Sequence, residues 1–247
     1  MKTKLLFITI CLTFLASSSL GEKTLKKDES YEGDLGIQVI RKITLPKGYH
    51  EGLYLDGGNI WVCNGKKINT WVIDTSNGKV SSKIIPVAGF TEGITQVGEG
   101  DFWVTDWDDK KLYRVKIKEN KMVAERAVSL EPAYPAGVIW TGEELYVITW
   151  TRGIGTKYGL LRMNKEGELL DEIRIKRIHE PAHLAWDGKY LWITSWYNQK
   201  VYKISTEDFK ILGSFDSPAK DTTGIVWDGE GFWITGTHDD LYKVKLK

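Results

Sequence analysis

Apolar and polar residues alternate along five near-copies of one line: GLYLDGGNIWV from Gly52, GITQVGEGDFWV from Gly93, GVIWTGEELYV from Gly137, HLAWDGKYLWI from His183 and GIVWDGEGFWI from Gly224. Each copy alternates, reverses at a glycine-bearing tight turn, and alternates again, which is the pattern of a β-hairpin. Turns such as Asp56-Gly57-Gly58, Asp187-Gly188-Lys189 and Asp228-Gly229-Glu230 suit the positive φ angles of tight hairpins. Two further strands complete each unit. A third runs over 69–74, 111–116, 160–164, 200–205 and 240–245, and a fourth, more polar one over 80–86, 123–130, 169–175 and 209–215. The copies begin 41 to 46 residues apart, the period of a β-propeller blade.

The fifth unit ends after its third strand. Ile37 to Leu45, ahead of the first copy, is the available donor of the missing outer strand, and its pairing would close the ring and hide two sheet edges. The expectation is therefore an all-β, five-bladed propeller over residues 35–247, built of four-stranded antiparallel blades, with the N-terminal strand completing the last blade. No long amphipathic helix and no interdomain linker is legible.

Eleven tryptophans change this picture little at first. Trp61, Trp103, Trp192 and Trp233 share one position on the second strand of their units, and Trp140, Trp186 and Trp227 share one on the first. Aromatics recurring with the repeat are expected to pack neighbouring blades together.

The first 21 residues read as a secretory signal: a basic start with Lys2 and Lys4, an apolar run from Leu5 to Leu15, then small residues, with cleavage between Ser18 and Gly21. The apolar run is short for a membrane span. Residues 22–34 read as a flexible leader. These features place the protein outside the cytoplasm, secreted or periplasmic, and free of the membrane after processing. Loss of residues 1–21 leaves 32 Lys and Arg against 33 Asp and Glu, a balance that gives no argument for nucleic acid or an anionic membrane as partner. A monomer is expected. Cys63 is then the one remaining cysteine, so no intramolecular disulfide can form, and a buried, inert thiol is expected there.

A propeller also says where its chemistry would be. The loops entering the first strand and leaving the second open on one face, at the channel mouth. The entering positions hold Tyr49-His50-Glu51, Phe90-Thr91-Glu92, Tyr134-Pro135-Ala136, Glu180-Pro181-Ala182-His183 and Asp221-Thr222-Thr223. The leaving positions hold Asp106-Trp107, Thr149-Trp150, Ser195-Trp196-Tyr197 and Thr237-His238. Glu51 and Glu92 occupy one position in adjacent blades, where mutual repulsion would raise a pKa. Trp107, Trp150 and Trp196 lie apart from the packing tryptophans; they either cap the apolar ends of their blades or wall a pocket for an apolar or cationic group.

These residues resemble a known family. Gly89-Phe90-Thr91-Glu92-Gly93-Ile94-Thr95 is similar to the Phe-Gly-Glu-Gly-Leu-Thr motif of the plant-type glutamine cyclotransferases, five-bladed propellers that convert N-terminal glutamine to pyroglutamate with loss of ammonia. Tyr49-His50-Glu51-Gly52-Leu53 and the closing Thr223-Gly224-Ile225-Val226-Trp227-Asp228 resemble two further motifs of that family. The resemblance implies that Glu92 is the general acid/base and that Trp107 and Trp196 help to hold the glutamine side chain. It implies no metal and no cofactor. Glu51 stands where the family has glutamine, Pro135-Ala136 where it has tryptophan before glycine, Pro181-Ala182 where it has Asn-Glu, and Thr237 where it has lysine.

Two readings follow. One is a metal-independent glutaminyl-peptide cyclotransferase with Glu92 catalytic and Glu51, Trp107, Trp150, Trp196, Phe90, Tyr49 and His183 binding the substrate, a small molecule or peptide N-terminus. The other is a non-catalytic exported propeller that binds a small ligand or protein partner at the same aromatic mouth. A metal-dependent hydrolase, drawing on Glu51, Glu92, His50, His183 and His238, has no metal-ligand motif in its favour.

Overall fold

The computed structural model describes residues 33–247; the expected signal and most of the expected leader lie outside them. Twenty-one strands and no helix make up this part of the chain. β1 (Gly33–Asp34) and β2 (Ile37–Ile43) precede the repeats. Blade 1 is β3 (His50–Asp56), β4 (Asn59–Asn64), β5 (Thr70–Asp74) and β6 (Val80–Ile84). Blade 2 is β7 (Thr91–Gly98), β8 (Asp101–Asp106), β9 (Lys111–Lys118) and β10 (Lys121–Ser129). Blade 3 is β11 (Tyr134–Trp140), β12 (Leu145–Thr151), β13 (Lys157–Met163) and β14 (Leu169–Ile175). Blade 4 is β15 (Pro181–Trp186), β16 (Leu191–Ser195), β17 (Lys200–Ile204) and β18 (Ile211–Asp216). Blade 5 is β19 (Thr222–Trp227), β20 (Phe232–Gly236) and β21 (Leu241–Leu246), completed by β2.

The closing strand is the one the truncated fifth repeat calls for. β2 runs antiparallel to β21, from Ile37 opposite Leu246 to Ile43 opposite Leu241. The ends of the domain are thus zipped into one blade, and each first strand meets the first strand of the next blade all the way round. At the N-terminal side the boundary shifts by two residues. Gly33 and Asp34, expected in the leader, pair in parallel with Gly213 and Ser214 of β18. A two-residue strand with one glycine carries too little periodicity to be read from sequence.

The core divides into clusters between neighbouring blades. Trp61 packs with Phe102 of blade 2, Trp103 with Val138 and Val147 of blade 3, Tyr146 with Leu184 of blade 4, Trp192 with Phe232 of blade 5, and Trp233 with Leu53 of blade 1. The repeated second-strand aromatic is therefore the cement of every seam. Buried in full, a tryptophan contributes roughly 4–6 kcal/mol of transfer free energy. Three of these second-strand packing indoles donate within the fold: Trp192 to Asp187 at 2.7 Å, Trp233 to Asp228 at 2.9 Å and Trp103 to the Lys165 carbonyl at 3.0 Å. Cys63 is buried, and burial pushes its thiol up, as an inert cysteine requires.

One irregularity repeats five times and positions the site. Each first strand carries one extra residue against its partner: between His50 and Leu53, Thr91 and Gly93, Pro135 and Val138, Pro181 and Leu184, and Thr222 and Gly224. A bulge bends a strand and re-aims a side chain. Here it falls at Glu51, Glu92, Ala136, Ala182 and Thr223.

Candidate active site

Those five residues form the floor of a cavity of about 380 Å³ at the mouth of the ring. Above them stand Trp107, Trp150, Trp196 and Thr237, the residues that leave the second strands. Blade 1 has Gly65 at that level, and the Phe90 ring fills the space a side chain would take there. Tyr49, Asp108, Arg152 and Glu180 complete the lining.

Local hydrogen bonds hold this arrangement. Asp106 is buried at the end of β8; its carboxylate accepts the Phe90 amide at 2.7 Å and the Asp109 amide at 3.0 Å. Trp107 N–H donates to the Phe90 carbonyl at 3.0 Å. Asp106 thereby fixes the loops that present Phe90, Glu92 and Trp107 together. The Trp150 indole donates to the Pro181 carbonyl at 2.7 Å and the Trp196 indole to the Thr237 hydroxyl at 3.2 Å. Trp107 and Trp150 meet edge to face at 5.4 Å, and Tyr49 meets Phe90 likewise at 5.5 Å. Three blades thus share one aromatic wall.

The floor is acidic, with Glu51 buried and Glu92 half-buried. Glu51 is only 5% exposed. Among the described residues neither Glu51 nor Glu92 has a hydrogen-bond or ion-pair partner. Burial drives the Glu51 pKa well above its usual range, and the Glu92 carboxylate adds to the effect, opposed by the Lys66 ammonium. For Glu92, burial first and then the charges of Asp106 and Asp108 raise the pKa to about 8. Both carboxyls are thereby biased towards their protonated forms at neutral pH. One Glu180 carboxylate oxygen is also buried without a partner.

Seven of the eight residues singled out in the sequence line the cavity: Glu51, Glu92, Tyr49, Phe90, Trp107, Trp150 and Trp196. His183 does not, and this corrects its expected place in substrate binding. It sits one step deeper, where the other four blades have Gly52, Gly93, Gly137 and Gly224. Its imidazole takes the room those glycines leave: a side chain on Gly52 or Gly137 would collide with His183, and one on Gly93 would stand 3.0 Å from its Nε2. The ring therefore lies across the axis of the propeller, beneath the floor. It is 1% exposed, its Nδ1 faces the Ile225 carbonyl at 3.2 Å, and its Nε2 is unpartnered. Burial lowers its pKa to about 4, so it is neutral at physiological pH.

The other histidines do not converge on the mouth either. His50 turns its ring nitrogens to the Pro46 and Asp239 carbonyls, and His238 turns Nδ1 to the Gly48 carbonyl. Among the described residues no three His, Cys, Asp or Glu side chains are grouped as a metal site needs. The lining residues not singled out in the sequence are Asp108, Ala136, Arg152, Glu180, Ala182, Thr223 and Thr237. Ala136, Ala182 and Thr223 were legible as equivalents of Glu51 and Glu92. Asp108 and Arg152 carry no repeat signal, because they lie beyond the strand ends.

No protein-family model matches the chain, and no curated protein matches it in sequence. Solved structures do match in shape. The glutaminyl cyclase of Myxococcus xanthus superposes with a TM-score of 0.69 at 15% identity, over 85% of this chain and 96% of that one. The fold is shared with a glutaminyl cyclase. A chain of the nidogen/laminin complex gives a TM-score of 0.57 at 15% identity, over 77% and 73% of the two chains. An inactive virginiamycin B lyase variant from Staphylococcus aureus with quinupristin gives 0.50 at 20% identity, over 82% and 68%. Identities this low speak to the fold, and propellers host many activities.

Proposed function

We propose that this protein is a glutaminyl-peptide cyclotransferase, forming pyroglutamate from N-terminal glutamine with release of ammonia. The observation that carries the reading is the pair Glu51 and Glu92, set in one aromatic pit with raised pKa values and, among the described residues, no cation paired to either. The fold shared with the Myxococcus xanthus enzyme supports it.

The reaction needs a proton moved and little else. The α-amine nitrogen attacks the side-chain amide carbon, a ring C–N bond forms, and the C–N bond to the amide nitrogen breaks. The proton lost by the attacking amine must reach the departing nitrogen, which leaves as ammonia. Glu92, with a pKa near the working pH, is suited to take that proton and return it. Glu51, held towards its protonated form by burial, offers its carbonyl oxygen as an acceptor for the substrate α-amine at the floor. Trp107, Trp150, Trp196 and Phe90 flank the glutamine side chain and exclude water, which strengthens the electrostatic interactions inside.

The test is ammonia release from a Gln-initiated peptide, with and without a chelator. Turnover by the wild-type protein in both conditions is expected, with Glu92→Gln at least 100-fold slower. Absence of wild-type turnover would favour the non-catalytic binding reading. Turnover abolished by the chelator would point to a metal, and turnover undiminished in Glu92→Gln would remove Glu92 from its role.

A further inference from the structure

Arg152 stands at the rim of the acidic cavity, in the loop between β12 and β13. Its guanidinium carbon lies 5.2 Å from the centre of the Trp107 ring and 5.1 Å from that of Tyr134, and those two rings are themselves 5.0 Å apart. A guanidinium over two aromatic faces is held in place without losing its donors, since stacking uses the flat face and leaves the N–H edge free. Among the described residues Arg152 has no ion pair and no hydrogen bond. Arg114 and Arg162, by contrast, are paired with Asp101 and with Glu144 and Asp171. Asp108 and Glu180 line the same cavity as Arg152, yet neither forms an ion pair with it. The cavity is thus polarised, with carboxyls at its floor and an unpaired guanidinium at its rim.

We propose that Arg152 determines specificity by reading a carboxylate on the second residue of the substrate. The inference rests on the cyclotransferase reading, which seats the first residue among Glu51, Glu92 and the tryptophans. The chain can then leave only through the mouth, and one residue spans about 3.5 Å, so the second residue emerges at the rim. A carboxylate there meets the fork of N–H donors that the two rings hold in position. It would come from an acidic second side chain or, in a dipeptide, from the free C-terminus. A basic second residue would meet like charge.

The experiment uses the full-length protein and its Arg152→Met and Arg152→Lys variants. Methionine keeps an unbranched stem over Trp107 and Tyr134 and removes the charge. Dissociation constants are read from tryptophan fluorescence, to which Trp107 reports directly, for Gln-Glu amide, Gln-Ala amide, Gln-Lys amide and Gln-Ala free acid. Wild-type protein should bind the carboxylate-bearing peptides roughly five- to tenfold more tightly than Gln-Ala amide, and Gln-Lys amide more weakly. The two acidic arms tell a side-chain from a main-chain carboxylate. In Arg152→Met the ratio between acidic and neutral peptides should fall to about one, with Arg152→Lys keeping part of it. Equal affinities in wild type, a preference that survives Arg152→Met, or no binding of any peptide overturns the proposal. If Arg152 only offsets Asp108 and Glu180, its loss changes all four affinities alike, which also overturns it. Ammonia release from the same peptides tests the reaction separately: a charge preference in binding without turnover sinks the cyclotransferase reading, and turnover without a preference sinks the role of Arg152.

Discussion

Replacing Glu92 by glutamine should stabilise the protein by an amount that pH controls. Burial and the charges of Asp106 and Asp108 lift the Glu92 pKa from 4.5 to about 8. Between those values the folded protein holds a proton that the unfolded chain has released. Stability therefore falls as pH rises through this window, and the effect vanishes below about pH 4.5. At 1.36 kcal/mol per pH unit the whole shift corresponds to about 5 kcal/mol. Water at the mouth screens part of it, leaving about 2–3 kcal/mol. Glutamine keeps the shape and stays neutral, so Glu92→Gln should melt with the wild type at pH 4.5 and above it at pH 9. The gap is expected to be roughly 4–12 °C. Differential scanning calorimetry across that range reads it directly. Part of the Glu51 shift comes from the Glu92 charge, so the slope left in the variant should be shallower than that of the wild type. Melting curves that run parallel at every pH, or a variant less stable at pH 9 than the wild type, would refute the premise that Glu92 is desolvated and forced to ionise in place.

His183 should show the opposite sign. Its pKa is depressed from 6.5 to about 4 by burial, so the unfolded chain binds the proton first and stability falls as pH drops from 6.5 towards 4. His183→Gln should flatten that limb, while leaving the alkaline limb to the glutamates. Deleting residues 33–46 should abolish cooperative folding, since it strips the outer strand from blade 5 and exposes the edges of β21 and β18. A deleted protein with a wild-type melting transition would show that the ring does not depend on its closure.

The fold was legible because its signal is repeated. Five hairpins with a glycine turn and an aromatic at one register specify five blades, and the missing fourth strand of the last unit identifies its donor within Ile37–Leu45, of which Ile37–Ile43 pairs. The floor and wall of the pit were legible for the same reason: equivalent positions in a ring must share a face, so Glu51 with Glu92 and Trp107 with Trp150 and Trp196 could be grouped without coordinates. His183 defeated this logic. It heads the fourth copy where the others begin with glycine, one residue beyond the position of Glu51 and Glu92, so its register was legible. What the sequence did not show is that the residue after the bulge lies beneath the floor rather than in the cavity. An offset of one residue in a strand exchanges inside for outside, and a bulge cannot be seen in the pattern of apolar and polar residues. Arg152 was beyond reach for another reason: its place is set by the stacking of Trp107 and Tyr134, a contact between blades rather than a property of its own segment.

The imidazole of His183 has a further consequence for traffic. An open propeller offers a tunnel with two ends, but here an aromatic ring set against Gly52, Gly93 and Gly137 turns the tunnel into a blind alley. Whatever arrives must depart by the door it came through, past the same tryptophans and the same arginine. Successive ligands must therefore queue: a new one cannot push its predecessor out from behind, and a small molecule at the floor stays confined until a larger one above it moves.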